Sequence, residues 1–151
     1  MTSPDALTIR PVRASDAVEW RSLWTLYLGY YETVLPEAVF QSTFARLLSD
    51  QTGEYRGLLA VQGTRPVGLA HYLLHRTCWA VGDTCYLQDL FADTSVRGRG
   101  VGRAVIEAVY AAGDAAGAAS VYWMTQGFNA TARRLYDRIG VKTQFIEYNR
   151  P

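Results

Sequence analysis

Apolar residues recur along this chain with two periods, and the period changes from one segment to the next. Leu7 to Val12 alternates apolar and polar positions and predicts a first strand. From Asp16 the spacing turns helical: Trp20, Trp24, Tyr27, Tyr30 and Tyr31 follow it, and Asp16 with Glu19 forms a capping-box-like start to a helix reaching about Gly29. Pro36 suits the first turn of a second helix ending near Leu48. Strands are predicted near Tyr55 to Val61 and Val67 to Arg76, joined by the turn Gly63-Thr64-Arg65-Pro66, and again over Cys85 to Ala92. A stripe of Val101, Val105, Ala108, Val109, Ala112 and Ala116 marks a helix that packs on a sheet. Ser120 to Thr125 is a further strand, Asn129 caps and Gly140 stops a short helix, and Thr143 to Tyr148 is a last strand. The order β-α-α-β-β-β-α-β-α-β predicts a mixed α/β (α+β) sandwich, and with no linker or repeat residues 1–151 read as one domain.

Composition agrees with that pattern and removes several function classes. At 49% hydrophobic and 13% aromatic, 151 residues are enough for a real core. The formal net charge is +1 with acids and bases interspersed, so no basic surface is set aside for nucleic acid. The N-terminus has no charged start followed by an apolar run, and no window approaches the roughly 18 apolar residues that span a bilayer, so a cytoplasmic protein without membrane contact is expected. Cys78 and Cys85 form no Cys-x-x-Cys pair and read as reduced thiols. His71 and His75 are four apart, but on a strand-like segment with no further ligands, so no metal site is expected.

The chemistry concentrates in Val96-Arg97-Gly98-Arg99-Gly100-Val101-Gly102-Arg103, between a strand and a strongly helical segment. Alternate glycines let backbone approach a ligand closely, and the following helix aims unpaired N–H groups at it. Flanking arginines and the positive helix end favour a phosphate, and in particular a pyrophosphate spanning several donors. A dinucleotide fingerprint is excluded because Arg103 stands at its third glycine, and a P-loop lacks its Gly-Lys-Ser/Thr. An RNA-binding reading fails because the basic stretch is short and embedded between periodic elements.

The spacing Arg97-x-x-Gly100-x-Gly102 resembles the loop that holds the pyrophosphate of coenzyme A in the GNAT family of acyl-CoA-dependent N-acyltransferases. A second segment, Asn129-x-x-Ala132-x-x-Leu135-Tyr136-x-x-x-Gly140, resembles that family's Asn-x-x-Ala-x-x-Leu-Tyr-x-x-x-Gly, in the expected order and at the expected distance. The resemblance implies a splayed mixed sheet with helices on both faces and acetyl-CoA as co-substrate. Arg97, Gly98, Arg99, Gly100, Val101, Gly102 and Arg103 would take the pyrophosphate, backbone groups of Leu90, Phe91 and Ala92 the pantetheine arm, and Asn129 and Ala132 further cofactor contacts.

An amine with a pKa of about 10.4 must lose a proton before it attacks a thioester, and Asp89, set in the apolar run before the glycines, is the candidate base, with a structural acid as the alternative. Gln88 and Asp89 face opposite sides of a regular strand, so both reach one pocket only through a bulge. In polyamine acetyltransferases of the family an acid often precedes the aspartate; Gln88 stands there and cannot act as a base. Tyr136 matches the family's proton donor to the departing thiolate. Tyr30, Tyr31 and Glu32 precede the segment that covers the acceptor in similar enzymes, and with Trp79 and Gln88 they are candidate substrate walls. The expected reaction is direct transfer of acetyl to a small-molecule primary amine in a ternary complex, with no metal and with a homodimer left open. Two alternatives remain: a protein or peptide acetyltransferase, and a non-catalytic acyl-CoA sensor.

Overall fold

The computed structural model describes residues 6–151. Five strands form one sheet in sequence order: β1 Leu7–Pro11, β2 Arg56–Gln62, β3 Arg65–His75, β4 Thr84–Ala92 and β5 Ser120–Tyr122. The first four pair antiparallel and β5 joins β4 parallel, which requires a crossover. That crossover contains α3, Val101–Ala115; α1, Ala17–Tyr30, and α2, Glu37–Leu47, precede β2, and α4, Ala130–Ile139, follows β5.

The sheet separates two apolar layers. On one side Val101, Val105, Ile106 and Val109 of α3 pack on Leu58 and Ala60 of β2, Ala70 and Tyr72 of β3, and Cys85 and Leu87 of β4. On the other, Trp20, Leu23, Trp24 and Leu28 of α1 and Phe40 and Leu47 of α2 meet Leu59, Leu69 and Phe91. Cys85 and Leu87 face α3 whereas Phe91 faces α1, although all three are odd positions of one strand. The parity reverses because Asp89 lies opposite His71 while Leu87 lies opposite Tyr72, leaving Gln88 as the extra residue of a bulge.

Most element boundaries lie within two residues of the predicted ones. The strand expected over Ser120 to Thr125 stops at Tyr122, and the last strand is missing: residues 141–151 form no helix or strand, and Phe145, Ile146 and Tyr148 lie exposed, so the observed order ends at α4. Alternating apolar residues make a strand only where a neighbouring edge receives their N–H and C=O groups, and no described segment pairs with this one. Two predicted caps also act differently. Asp16 makes no side-chain bond to α1; it receives two bonds from the Arg10 guanidinium, at 2.7 and 2.8 Å, and one from the Arg13 N–H at 2.7 Å, tying the sheet edge to the turn before α1. Gly140 is extended rather than left-handed, and a Cβ there would lie 2.8 Å from the Trp123 ring, so its reason is steric.

The Arg10 bonds, and less so the Arg13 N–H, hold the Asp16 carboxyl below its ordinary range. A depressed folded pKa stabilises above the unfolded value of about 3.9 and loses that contribution as pH falls through the folded value. Asp16→Asn should cost about 3 kcal/mol in urea unfolding at pH 7, the scale for breaking a largely buried ion pair, with the difference from the parent shrinking below about pH 4. An equal difference at pH 7 and pH 3 would count against the pair.

Candidate active site

After three paired residues on each strand, β4 and β5 diverge. Trp123, Met124 and Thr125, predicted as strand, therefore leave the sheet and become a wall. The gap opens into a cleft of about 740 Å³, bounded by Leu87 to Ala92 of β4 except Asp89, by the loop and helix start at Val96–Arg103 except Arg99, by α4, and by Tyr27, Tyr30 and Tyr31 at the end of α1.

One end of the cleft has the chemistry of an anion cradle. Gly98 and Gly100 adopt φ of +79° and +81°, which L side chains rarely adopt, and a Cβ on either would meet no protein atom within 4 Å. Backbone strain and free space coincide where the first N–H groups of α3, which have no intrahelical acceptor, begin. Arg97, Arg103, Arg134 and Arg138 line the same cleft; Arg103 is braced by Glu107 at 2.9 Å. Arg134 and Arg138 escaped the sequence reading because the short helix was judged by its apolar face, although their spacing of four puts both on one face.

At α4, Asn129 caps the helix by accepting the Ala132 N–H at 3.3 Å, and Asn129, Thr131, Ala132 and Tyr136 all line the cleft. The Tyr136 ring meets Trp123 edge-to-face with centroids 5.5 Å apart, and among the described residues its hydroxyl has no protein partner. Burial, and then the nearby Tyr31 and Tyr30, push the Tyr136 phenol up to about 12, so it carries its proton at neutral pH.

Asp89 is 8% exposed and is not itself a wall. Its Oδ1 accepts the Tyr27 hydroxyl at 2.9 Å, and its Oδ2 lies 3.0 Å from His71 Nδ1. Trp20 Nε1 donates to His71 Nε2 at 2.9 Å. An indole N–H is only a donor, so Nε2 is the bare nitrogen and Nδ1 carries the hydrogen given to Asp89. Gln88, exposed by the bulge, lines the cleft and accepts the hydroxyl of Tyr55. The bulge thus brings the two neighbours toward one site in different ways, Gln88 directly and Asp89 through Tyr27.

Other candidate residues lie elsewhere. Trp79 is 92% exposed in the β3–β4 connection and not at the cleft, because that connection projects from the opposite end of β4 from the glycine loop. Glu32 follows α1 with φ of +53° and lines nothing there, since the chain has already turned away after Tyr31. Arg99 sits between the two left-handed glycines and is not among the cleft walls. Tyr27 packs against the α1 layer of the core and is also a wall of the cleft. Cys85 is fully buried with its thiol pushed up to about 11 by burial, which leaves no nucleophilic thiolate there at neutral pH. Among the described residues no group of three or more His, Cys, Asp or Glu side chains is placed to hold a metal, and no helix is long and apolar enough to cross a membrane.

A model of the acetyltransferase (GNAT) family matches residues 20–141, most of the chain and both motifs. The chain belongs to the GNAT family of acetyltransferases. It is 37% identical over 148 residues to the D-amino-acid N-acetyltransferase HPA3 of Saccharomyces cerevisiae, covering 97% of this chain and 91% of that one. The fold matches the aminoglycoside acetyltransferase AAC(6')-Iy, solved with a CoA-containing bisubstrate analogue, at TM-score 0.83 and 18% identity, over 97% and 98% of the two chains. It also matches meta-AAC0020, an aminoglycoside acetyltransferase from an uncultured soil metagenomic sample, at TM-score 0.80 and 17% identity, over 96% and 95%. This GNAT protein is an acetyl-CoA-dependent N-acetyltransferase. The left-handed glycines, the open helix N-terminus and four arginines at one cleft suit an anionic group such as a pyrophosphate in charge and donor type.

Proposed function

We propose that this enzyme acetylates a small amino-acid-like or other aliphatic amine by direct transfer within a ternary complex. The observation that carries the reading is one cleft with a glycine–arginine anion cradle at one end and Tyr27, Tyr31, Gln88 and Tyr136 along its walls. Bound acetyl-CoA supplies an activated acyl thioester. Backbone N–H groups of Gly98, Gly100, Val101, Gly102 and Arg103 hold its pyrophosphate, aided by the side chains of Arg97, Arg103, Arg134 and Arg138, while β4 from Leu90 to Ala92 offers free edge groups to the pantetheine arm where β5 has parted from it. Asn129 and Ala132 stand beside that arm. The Tyr136 hydroxyl holds a proton at the cleft, where the departing sulfur requires one. Asp89 is the final acceptor of the amine's proton.

The tyrosines around Tyr30 and Tyr31 give an ammonium aromatic faces and hydroxyl acceptors. Both Asp89 oxygens are engaged and Gln88 is neutral, so this wall offers no pair of free carboxylates for a polycation. An amino-acid-like monoamine therefore suits the site better than a polyamine, in keeping with the name of the yeast relative. The test is thiol release from acetyl-CoA across D- and L-amino acids, polyamines, aminoglycosides and lysine peptides. Turnover of small amines, with amino acids foremost, is expected. Activity confined to peptides would overturn the substrate class, and tight CoA binding without any turnover would favour a sensor.

A further inference from the structure

The Asp89 carboxylate is not a wall of the cleft, but it accepts the hydroxyl of Tyr27, which is. We propose that Tyr27 carries the acceptor's proton to Asp89, with His71 and Trp20 as positioning residues that fix the receiving carboxylate. The proposal rests on Asp89 being the final proton acceptor and adds the path and the group that touches the amine.

Each oxygen of the Asp89 carboxylate, 8% exposed, already holds a hydrogen-bond donor. Oδ2 takes the His71 Nδ1–H, and Oδ1 takes the Tyr27 hydroxyl, whose ring lines the cleft. His71, 2% exposed, cannot relieve Asp89 of a proton, because Nδ1 already carries a hydrogen and Nε2 is held by the Trp20 indole. Trp20 is itself buried, and this anchor sets the angle of the imidazole and hence of the carboxylate. The Tyr27 ring is clamped by Trp24, stacked with centroids 4.7 Å apart, and by Phe91 edge-on at 6.5 Å.

The groups facing this pair are His71 from β3, Tyr31 just after α1, Tyr55 from the segment before β2 and Tyr86 from β4, none of them a lysine, an arginine or a second carboxylate. Burial, and then the neighbouring Asp89 charge, hold the Tyr27 phenol far above its ordinary value, so it works as a neutral relay and never rests as phenolate. In the step an ammonium N–H bond breaks as a Tyr27 Oη–H bond forms, while the original Oη–H bond breaks as an Asp89 Oδ1–H bond forms. The amine becomes neutral, Asp89 becomes a carboxylic acid, and Tyr27 is unchanged. The reverse passage returns the proton to solvent after the product leaves.

Tyr27→Phe keeps the ring and removes the relay. We expect kcat/KM for the amine to fall about 100-fold at pH 7, the lower end for loss of acid–base assistance. The loss should shrink as pH approaches the amine's own pKa, with KM for acetyl-CoA within twofold of the parent. Asp89→Asn should show the same rescue at high pH, and the double variant should be no slower than the slower single one, as for residues acting as a unit. A parental rate and pH profile for Tyr27→Phe beside a rescued Asp89→Asn would overturn the relay and leave Asp89 as base. A flat loss at every pH for Asp89→Asn would overturn both. On the unmodified enzyme, a proton inventory of kcat/KM should bow, as two protons in flight require; a linear dependence, or none, would overturn the relay even if Tyr27→Phe fails to fold.

Discussion

Tyr136→Phe should lower kcat by about 10²–10⁴-fold, the range for removing a positioned general acid, while coenzyme A affinity stays near the parental value. The hydroxyl faces the cleft without a protein partner, so its loss breaks no internal hydrogen bond, and the edge-on contact of the ring with Trp123 survives. Unfolding free energies of the two proteins should agree within about 0.5 kcal/mol, as for a substitution that leaves no cavity or unpaired group. Pre-steady-state measurement of thiol release gives the clearest reading, because it separates the chemical step from product departure. Turnover within twofold of the parent would return Tyr136 to a packing role on α4.

Gly100→Val is expected to weaken coenzyme A binding by about 10²–10⁴-fold in calorimetry. Gly100 precedes the first turn of α3 with φ of +81°, which a β-branched residue reaches only under strain, and its Cβ would enter the space before the free N–H groups. Losing two hydrogen bonds to a charged phosphate group costs about 3–6 kcal/mol, which is that range of affinity. Beyond the two chain neighbours no protein atom lies within 4 Å of the added Cβ, so the sheet and its two layers should keep their circular dichroism. Unchanged affinity with an intact spectrum would remove the cradle from the binding site.

These two predictions concern residues whose local chemistry is legible in one dimension. A glycine–arginine run before a helix, and an Asn-capped helix bearing a tyrosine on its apolar face, are local patterns, and each element forms where its pattern lies. The hydrogen-bond network around Asp89 was less legible. Tyr27, Asp89, His71 and Trp20 come from α1, β4 and β3, and their bonds span 18 to 62 residues of sequence, so no window contains the network. Helical spacing groups Tyr27 with Trp20 and Trp24, but periodicity reports which face of a helix is buried and not whether that face meets a sheet or a cleft.

What the sequence determined by itself was therefore the local order, ten expected segments of which nine form, and the two motifs that line the cleft. The alternation of Gln88 and Asp89 even posed the need for a bulge, but a bulge is a property of two strands, and only the register of β4 against β3 supplied it. Tertiary structure likewise decided that β5 ends at Tyr122, because parallel pairing stops where β4 and β5 splay, and so turned predicted strand into cleft wall. It left Phe145 to Tyr148 unpaired for the complementary reason: a strand requires a neighbouring edge to complete its hydrogen bonds, and no periodicity within one segment provides one.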